Sequence, residues 1–155
     1  MATRSNIAYQ TPEGKIRSIY CHWDGYPEHN GEMLRRHYTT TEKVAALIEL
    51  GSLSSLREEI GQQHPFDRDY TNPELPLTDN WCLAYHRDRG EELSIQEYDD
   101  IPSWIEDMEE YAYLWNGQDW LVNDHGATRG GFPVFDFVEV AQRKDVMDNM
   151  GWETV

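Results

Sequence analysis

Between Gly90 and Thr128 the chain has no lysine and no arginine, while the same 39 residues carry 11 carboxylates. Cations are scarce throughout: 13 Lys and Arg face 29 Asp and Glu among 155 residues, a net charge of −16. This argues strongly against direct binding to DNA, RNA or an anionic membrane, because phosphate recognition needs clustered Lys and Arg. Cysteine is scarce too. Cys21 and Cys82 lie far apart in sequence and outside any C-x-x-C pattern, so two reduced thiols are expected rather than a disulfide framework. No apolar run approaches the roughly 18 to 20 residues of a membrane span. Met1–Gln10 lacks a signal-peptide core, and a soluble, cytoplasmic protein is the expectation. No recognised nucleophile motif occurs, and neither the phosphate-loop nor the dinucleotide glycine fingerprint is present.

What is present is a core's worth of apolar residues. The chain is 39% apolar with 6 Trp, 9 Tyr and 4 Phe, unlike a disordered acidic tail. Its length fits one domain, residues 1–155. The charge is unevenly placed. Residues 1–89 hold 13 acids and 10 bases, and residues 90–155 hold 16 acids and 3 bases. Two carboxylates about 6 Å apart in water repel by roughly 0.7 kcal/mol before screening. A solvated, solubilising face is the ordinary meaning of such a run. The complete exclusion of bases from residues 90–128 raises a functional one.

Ser5–Gln10 and Lys15–Trp23 read as strands of a hairpin around Thr11-Pro12-Glu13-Gly14. Asp24-Gly25-Tyr26-Pro27 then breaks the strand. The spacing predicts a helix over Glu28–Tyr38, and a second over Glu42–Leu50 capped by Thr40 or Thr41 and ended by Gly51. Leu53 and Leu56 tuck under the sheet. Gly61–Thr78, with three prolines, reads as a surface loop that Phe66 and Tyr70 could pin. Trp81–His86 reads as a strand with Leu93–Tyr98 as its partner, and Pro102 opens a short helix. Tyr111–Trp115 and Trp120–Asn123 form a hairpin across Asn116-Gly117. Phe132–Val140 reads as a further strand and Lys144–Met150 as a terminal helix. The sum is α+β: an antiparallel sheet of hairpins with two to four short helices packed on one side.

The segments Ser18–Tyr38 (SIYCHWDGYPEHNGEMLRRHY) and Thr41–Leu56 (TEKVAALIELGSLSSL) resemble a family of small acidic bacteriophage and prophage proteins. Ala2-Thr3-Arg4-Ser5, the motif Tyr20–Tyr26, the run Leu50–Leu56 and the hairpin Glu110–Val122 carry the likeness. The resemblance implies a phage accessory gene working in the cytoplasm of the infected bacterium. Such genes often act against host defences.

The densest group of potential ligands is Cys21, His22, Asp24, His29 and His37. Its spacing fits no strong zinc pattern, and adjacent strand residues Cys21 and His22 point to opposite faces. No metal or cofactor is therefore expected. His22 and Asp24 share a face and could pair, although a polar turn anchored by Asp24 is the simpler reading. His125–Gly131 is the sole Gly-rich stretch and reads as a flexible connection, with Arg129 available to the acidic face.

Trp104, Tyr111, Tyr113, Trp115 and Trp120 lie among the acids and could anchor them rigidly. Fixed charges lose less freedom on binding than those of a flexible tail. The leading expectation is a non-enzymatic counter-defence protein with a nucleic-acid-mimicking surface. Its partner would be a basic host protein or nucleoprotein complex, such as a CRISPR effector or restriction enzyme. The residues expected to bind are Glu91, Glu92, Asp99, Asp100, Glu106, Asp107, Glu109 and Glu110. A second reading makes the Tyr20–His29 turn a small-ligand module that sequesters or cleaves a nucleotide signal. It would use His22, Trp23, Asp24, Tyr26 and His29, with Arg17, Arg35 and Arg36 converging to offset the acidity. A metal-dependent hydrolase ranks third.

Overall fold

Ile7 and Ile19 face each other across an antiparallel pair, β1 (Ser5–Gln10) and β2 (Ile16–Cys21). The turn between them closes because Gly14 adopts φ +86° and its N–H reaches the Thr11 carbonyl at 2.9 Å. The computed structural model describes residues 2–66, 79–124 and 152–154. The elements expected over Phe132–Val140 and Lys144–Met150, with Tyr70 and His125–Gly131, lie outside the described residues.

After β2 comes a π-helical turn, Pro27–Gly31, running into α1 (Glu32–His37). The helix α2 (Thr41–Ile48) follows, its first turn capped by the Thr40 hydroxyl, which accepts from the Lys43 N–H. β3 (Leu53–Ser55), β4 (Leu83–Ala84), α3 (Tyr85–Arg89), β5 (Gln96–Tyr98) and α4 (Ile101–Glu106) complete the middle of the chain. β6 (Tyr111–Trp115) and β7 (Trp120–Asp124) form the expected hairpin, and β8 (Trp152–Thr154) adds to β7.

The strands form one sheet in the order β4-β3-β2-β1-β6-β7-β8, with β5 sharing the outer edge of β2 with β3. The protein is α+β, but two details of the expectation change. The sheet is mixed rather than antiparallel: β6 runs parallel beside β1, with Ser5 opposite Tyr111, and β3 runs parallel to β2. Hairpin signals report only pairings between neighbours in sequence, and the β1–β6 pairing is long-range. Nor are the helices on one side. Leu34, Val44, Leu47 and Ile48 of α1 and α2 cover the face showing Ile7, Ile19, Tyr113 and Trp115. Ile101, Trp104 and Ile105 of α4 cover the opposite face, on Ala8, Ile16, Ala112 and Leu114.

Trp81–His86 is not one strand. Pairing stops at Ala84, and the buried Asp88 carboxylate holds the turn into α3. It accepts from the N–H groups of Ala84 (2.8 Å) and His64 (3.1 Å) and from the Arg87 guanidinium (3.0 Å). Leu93–Tyr98 does not pair with this segment; its β5 portion crosses to β2. Phe66 does pin the start of the loop. Its ring lies 5.5 Å from that of Tyr85, under the Arg89 guanidinium.

Candidate functional site

The eight acids expected to bind a partner divide into two groups. Glu91 and Glu92 lie just past α3. Glu91 is paired with Arg89, and the following Leu93 abuts Gly51. Of the other six, Asp99 and Asp100 precede α4, Glu106 ends it, and Asp107, Glu109 and Glu110 lie between it and β6. Asp99 is 89% exposed and has Lys15 at 3.6 Å. Asp100 caps α4 by accepting from the Ser103 N–H at 2.9 Å, and hydrogen bonding from the Ser103 hydroxyl, then from this N–H, holds its carboxyl below the usual range. Glu106 is exposed at the last turn. Asp107 accepts from the Tyr98 hydroxyl at 2.9 Å. Burial, then this bond, pushes the Tyr98 phenol up to about 12. Glu109 is half-buried, with its N–H on Asn6 Oδ1 at 2.6 Å, and Glu110 is exposed.

The support beneath α4 is apolar. Trp104 is buried beneath it and donates its indole N–H to Ser18 Oγ at 2.9 Å. On the other face of the sheet, under α1 and α2, Trp115 donates to Thr41 Oγ1 at 2.9 Å and Trp120 to the Tyr38 carbonyl at 2.8 Å. The aromatics interleaved with the acids are thus core residues. Of these, Trp104 packs beneath α4. Among the described residues, Lys15 is the basic side chain paired with the α4 group. Other bases are engaged elsewhere: Arg17 with Glu49 and Glu97, and Arg35 and Arg36 with Glu32.

The Tyr20–His29 segment is organised differently from the sequence expectation. His22 and Asp24 do not pair. His22 Nδ1 bonds the Tyr20 hydroxyl at 2.7 Å, and Asp24 Oδ1 accepts from the Tyr26 hydroxyl at 3.2 Å. His29 Nδ1 bonds Asn30 Oδ1 at 2.8 Å, and its Nε2 faces the Arg57 guanidinium at 3.3 Å. Neither Asn30 nor Arg57 is evident from the sequence, since both come into place only through tertiary contact. Arg17, Arg35 and Arg36 do not converge here, because carboxylates hold them elsewhere. Trp23 and Tyr26 remain 43% and 36% exposed.

Cys21 behaves as a small buried hydrophobe. It contacts the Asn30 amide and the Trp23 carbonyl, and burial pushes its thiol up to about 12. Burial likewise raises the Cys82 thiol, which lies 3.2 Å from the Tyr38 hydroxyl. Among the described residues no three His, Cys, Asp or Glu side chains converge as a metal site. No described helix is long and apolar enough to cross a membrane.

The described residues form a small α+β domain in which acids flank α4 in the chain, Asp99 and Asp100 before it and Asp107, Glu109 and Glu110 after it. Comparison with protein-family models, curated proteins and solved structures finds no match.

Proposed function

We propose that the protein is a non-enzymatic binding protein that docks on a basic protein surface through the acidic face of α4. The observation carrying this reading is the fixed set Asp99, Asp100, Glu106, Asp107, Glu109 and Glu110. Its packing rests on the Trp104–Ser18 contact, and Lys15 is its basic partner among the described residues. Pre-positioned carboxylates lose little freedom on binding, and their uncompensated field speeds encounter with a cationic partner. Glu91 and Glu92 form a separate acidic point on the α3 side and are secondary.

The complementary surface is one that ordinarily holds a nucleic-acid backbone. Together with the resemblance to phage proteins, this favours a counter-defence role. The partner would be a host nucleic-acid-processing complex such as a CRISPR effector or restriction enzyme. Inhibition would be competitive with nucleic acid and would weaken as salt rises. The test is a competition assay in which purified effectors and restriction enzymes bind labelled DNA or RNA. Native protein displaces the nucleic acid from its target. The combined Asp99→Lys, Glu106→Lys, Asp107→Lys and Glu110→Lys variant does not. Equal displacement by both proteins refutes the reading.

A further inference from the structure

We propose that Arg57, held by His29 beside the Trp23–Gly31 turn, binds the oxyanion of a small ligand that carries one negative charge next to a flat ring. The site lies apart from α4, and the inference is independent of the docking reading above. The first observation is where the protein withholds its carboxylates. The chain has 29 acids for 13 bases. Among the described residues, Lys15, Arg17, Arg35, Arg36, Lys43, Arg87 and Arg89 each pair with an acid. Arg4 and Arg57 do not. Arg4 lies beside the Tyr20 hydroxyl, and Arg57 Nη1 lies 3.3 Å from His29 Nε2. Where acids are so abundant, a guanidinium fixed on an uncharged ring is a charge left available.

The second observation is how Arg57 is positioned. A guanidinium only donates, so His29 Nε2 accepts from it and His29 Nδ1 carries the ring proton. That N–H donates to Asn30 Oδ1 at 2.8 Å. Asn30 is fully buried, and its amide nitrogen donates to the Trp23 carbonyl and the Ser5 hydroxyl, each at 3.3 Å. A buried side chain thus sets the plane of the imidazole, and the imidazole sets the guanidinium. The main chain of Arg57 is fixed as well. Its carbonyl accepts from the Tyr38 hydroxyl at 2.7 Å, and its N–H meets Cys82 Sγ at 3.4 Å. His29 uses only the Nη1 side. The Nε–Nη2 edge has no acceptor among the described residues, and that edge is the fork that matches two oxygens of an oxyanion. A fork already in place loses little freedom on binding.

Charge and shape select the ligand. Asp24, Glu28 and Glu58 neighbour His29 and Arg57 in the chain without pairing with Arg57. Their field opposes a second negative charge. A phosphodiester or a carboxylate therefore suits the site better than a doubly charged phosphate monoester. The Tyr26 ring stands 6.3 Å from that of His29 and is 36% exposed, open to a flat group beside the oxyanion. Arg4 is not part of the site. It meets Tyr20, which shares the α4 face of β2 with Ser18, whereas Asn30 contacts Cys21 on the face under α1 and α2. A single guanidinium does not suit a nucleic-acid backbone, which needs clustered bases.

The test is titration with cyclic AMP and with benzoate, a phosphodiester and a carboxylate that each carry one charge beside a ring. Adenosine, without charge, and AMP, with two, are the comparisons. Binding is read by calorimetry and by the Nε–H resonance of Arg57. Cyclic AMP or benzoate binds and shifts that resonance, and whichever binds identifies the oxyanion. Adenosine does not bind, and AMP binds more weakly than cyclic AMP. Arg57→Gln weakens binding about tenfold, and Arg57→Lys, which keeps the charge but loses the fork, about fivefold. If Arg57→Gln does not fold, Arg57→Lys decides. No binding of cyclic AMP or benzoate at millimolar concentration overturns the proposal, as does unchanged affinity in the Arg57 variants. Adenosine binding as well as cyclic AMP, or AMP binding more tightly, also overturns it. Glu106→Lys with Glu110→Lys leaves this binding in place, so the α4 reading and the Arg57 site fail separately.

Discussion

The indole N–H of Trp104 donates to the hydroxyl of Ser18 at 2.9 Å, in a position where both residues are closed to solvent. This bond ties α4 to the central strand β2. Ser18→Ala leaves a buried donor without its partner, at a cost of about 1–3 kcal/mol. Trp104→Ala also removes the largest side chain on that face and costs about 3–5 kcal/mol. Urea unfolding of the two variants measures both. A Trp104→Ala protein as stable as the native one would show that α4 is not packed as described.

Stability falls with alkali. The Cys21 thiol is pushed up to about 12, and the Tyr38 and Tyr98 phenols are also raised, in each case chiefly by burial. In the unfolded chain these groups ionise near their ordinary values, about 9 and 10, while the folded protein still holds the protons. Their stabilising contribution is complete below pH about 9 and is lost as pH rises toward 12. Melting temperatures measured from pH 8 to 11 at constant ionic strength should decline, and Cys21→Ala should flatten the first part of that decline.

Both thiols are inert in the native state. Cys21 and Cys82 are unpaired and buried, so a thiol reagent at neutral pH labels them only after unfolding. Rapid labelling of native protein would contradict that burial.

Gly25 tolerates no side chain. A Cβ would lie 2.9 Å from the Arg4 carbonyl carbon and 2.9 Å from Ser5 Cβ, and backbone gives way less readily than a flexible side chain. Gly25→Ala should cost about 1–3 kcal/mol, measured by urea unfolding. It should also alter Trp23 fluorescence in the folded state.

The unpaired acids of α4 oppose stability through mutual repulsion, so added sodium chloride raises the melting temperature by screening. Glu106→Lys with Glu110→Lys raises it at low salt and reduces its salt dependence, while weakening the binding proposed above. A melting temperature unaffected by salt in the native protein would mean that these charges are already compensated.

Local chemistry made much of the fold legible. The Thr11–Gly14 and Asn116-Gly117 turns, the Thr40 or Thr41 cap and the apolar stripe Val44, Leu47 and Ile48 are short-range signals, and each element forms. The run Tyr111–Trp115 carries a further signal. Ala112, Tyr113, Leu114 and Trp115 are all buried, the mark of a strand covered on both faces. That pattern anticipates α4 opposite α1 and α2. By contrast, the strand pattern of Trp81–His86 does not form throughout, because an Asp88 carboxylate bonded to His64 and Ala84 turns the chain, and such contacts leave no periodic trace.

The sequence by itself determined the α+β class, the scarcity of cations, the location of the carboxylates in the chain and the burial expected of Cys21. Composition and short-range periodicity are local properties. Tertiary structure alone decided that β6 lies parallel to β1. It also packed α4 on the face opposite α1 and α2, and it engaged Arg17, Arg35 and Arg36 with carboxylates away from the turn. Each of these depends on which distant segments bury their apolar faces together, and that choice is made by packing across the sheet.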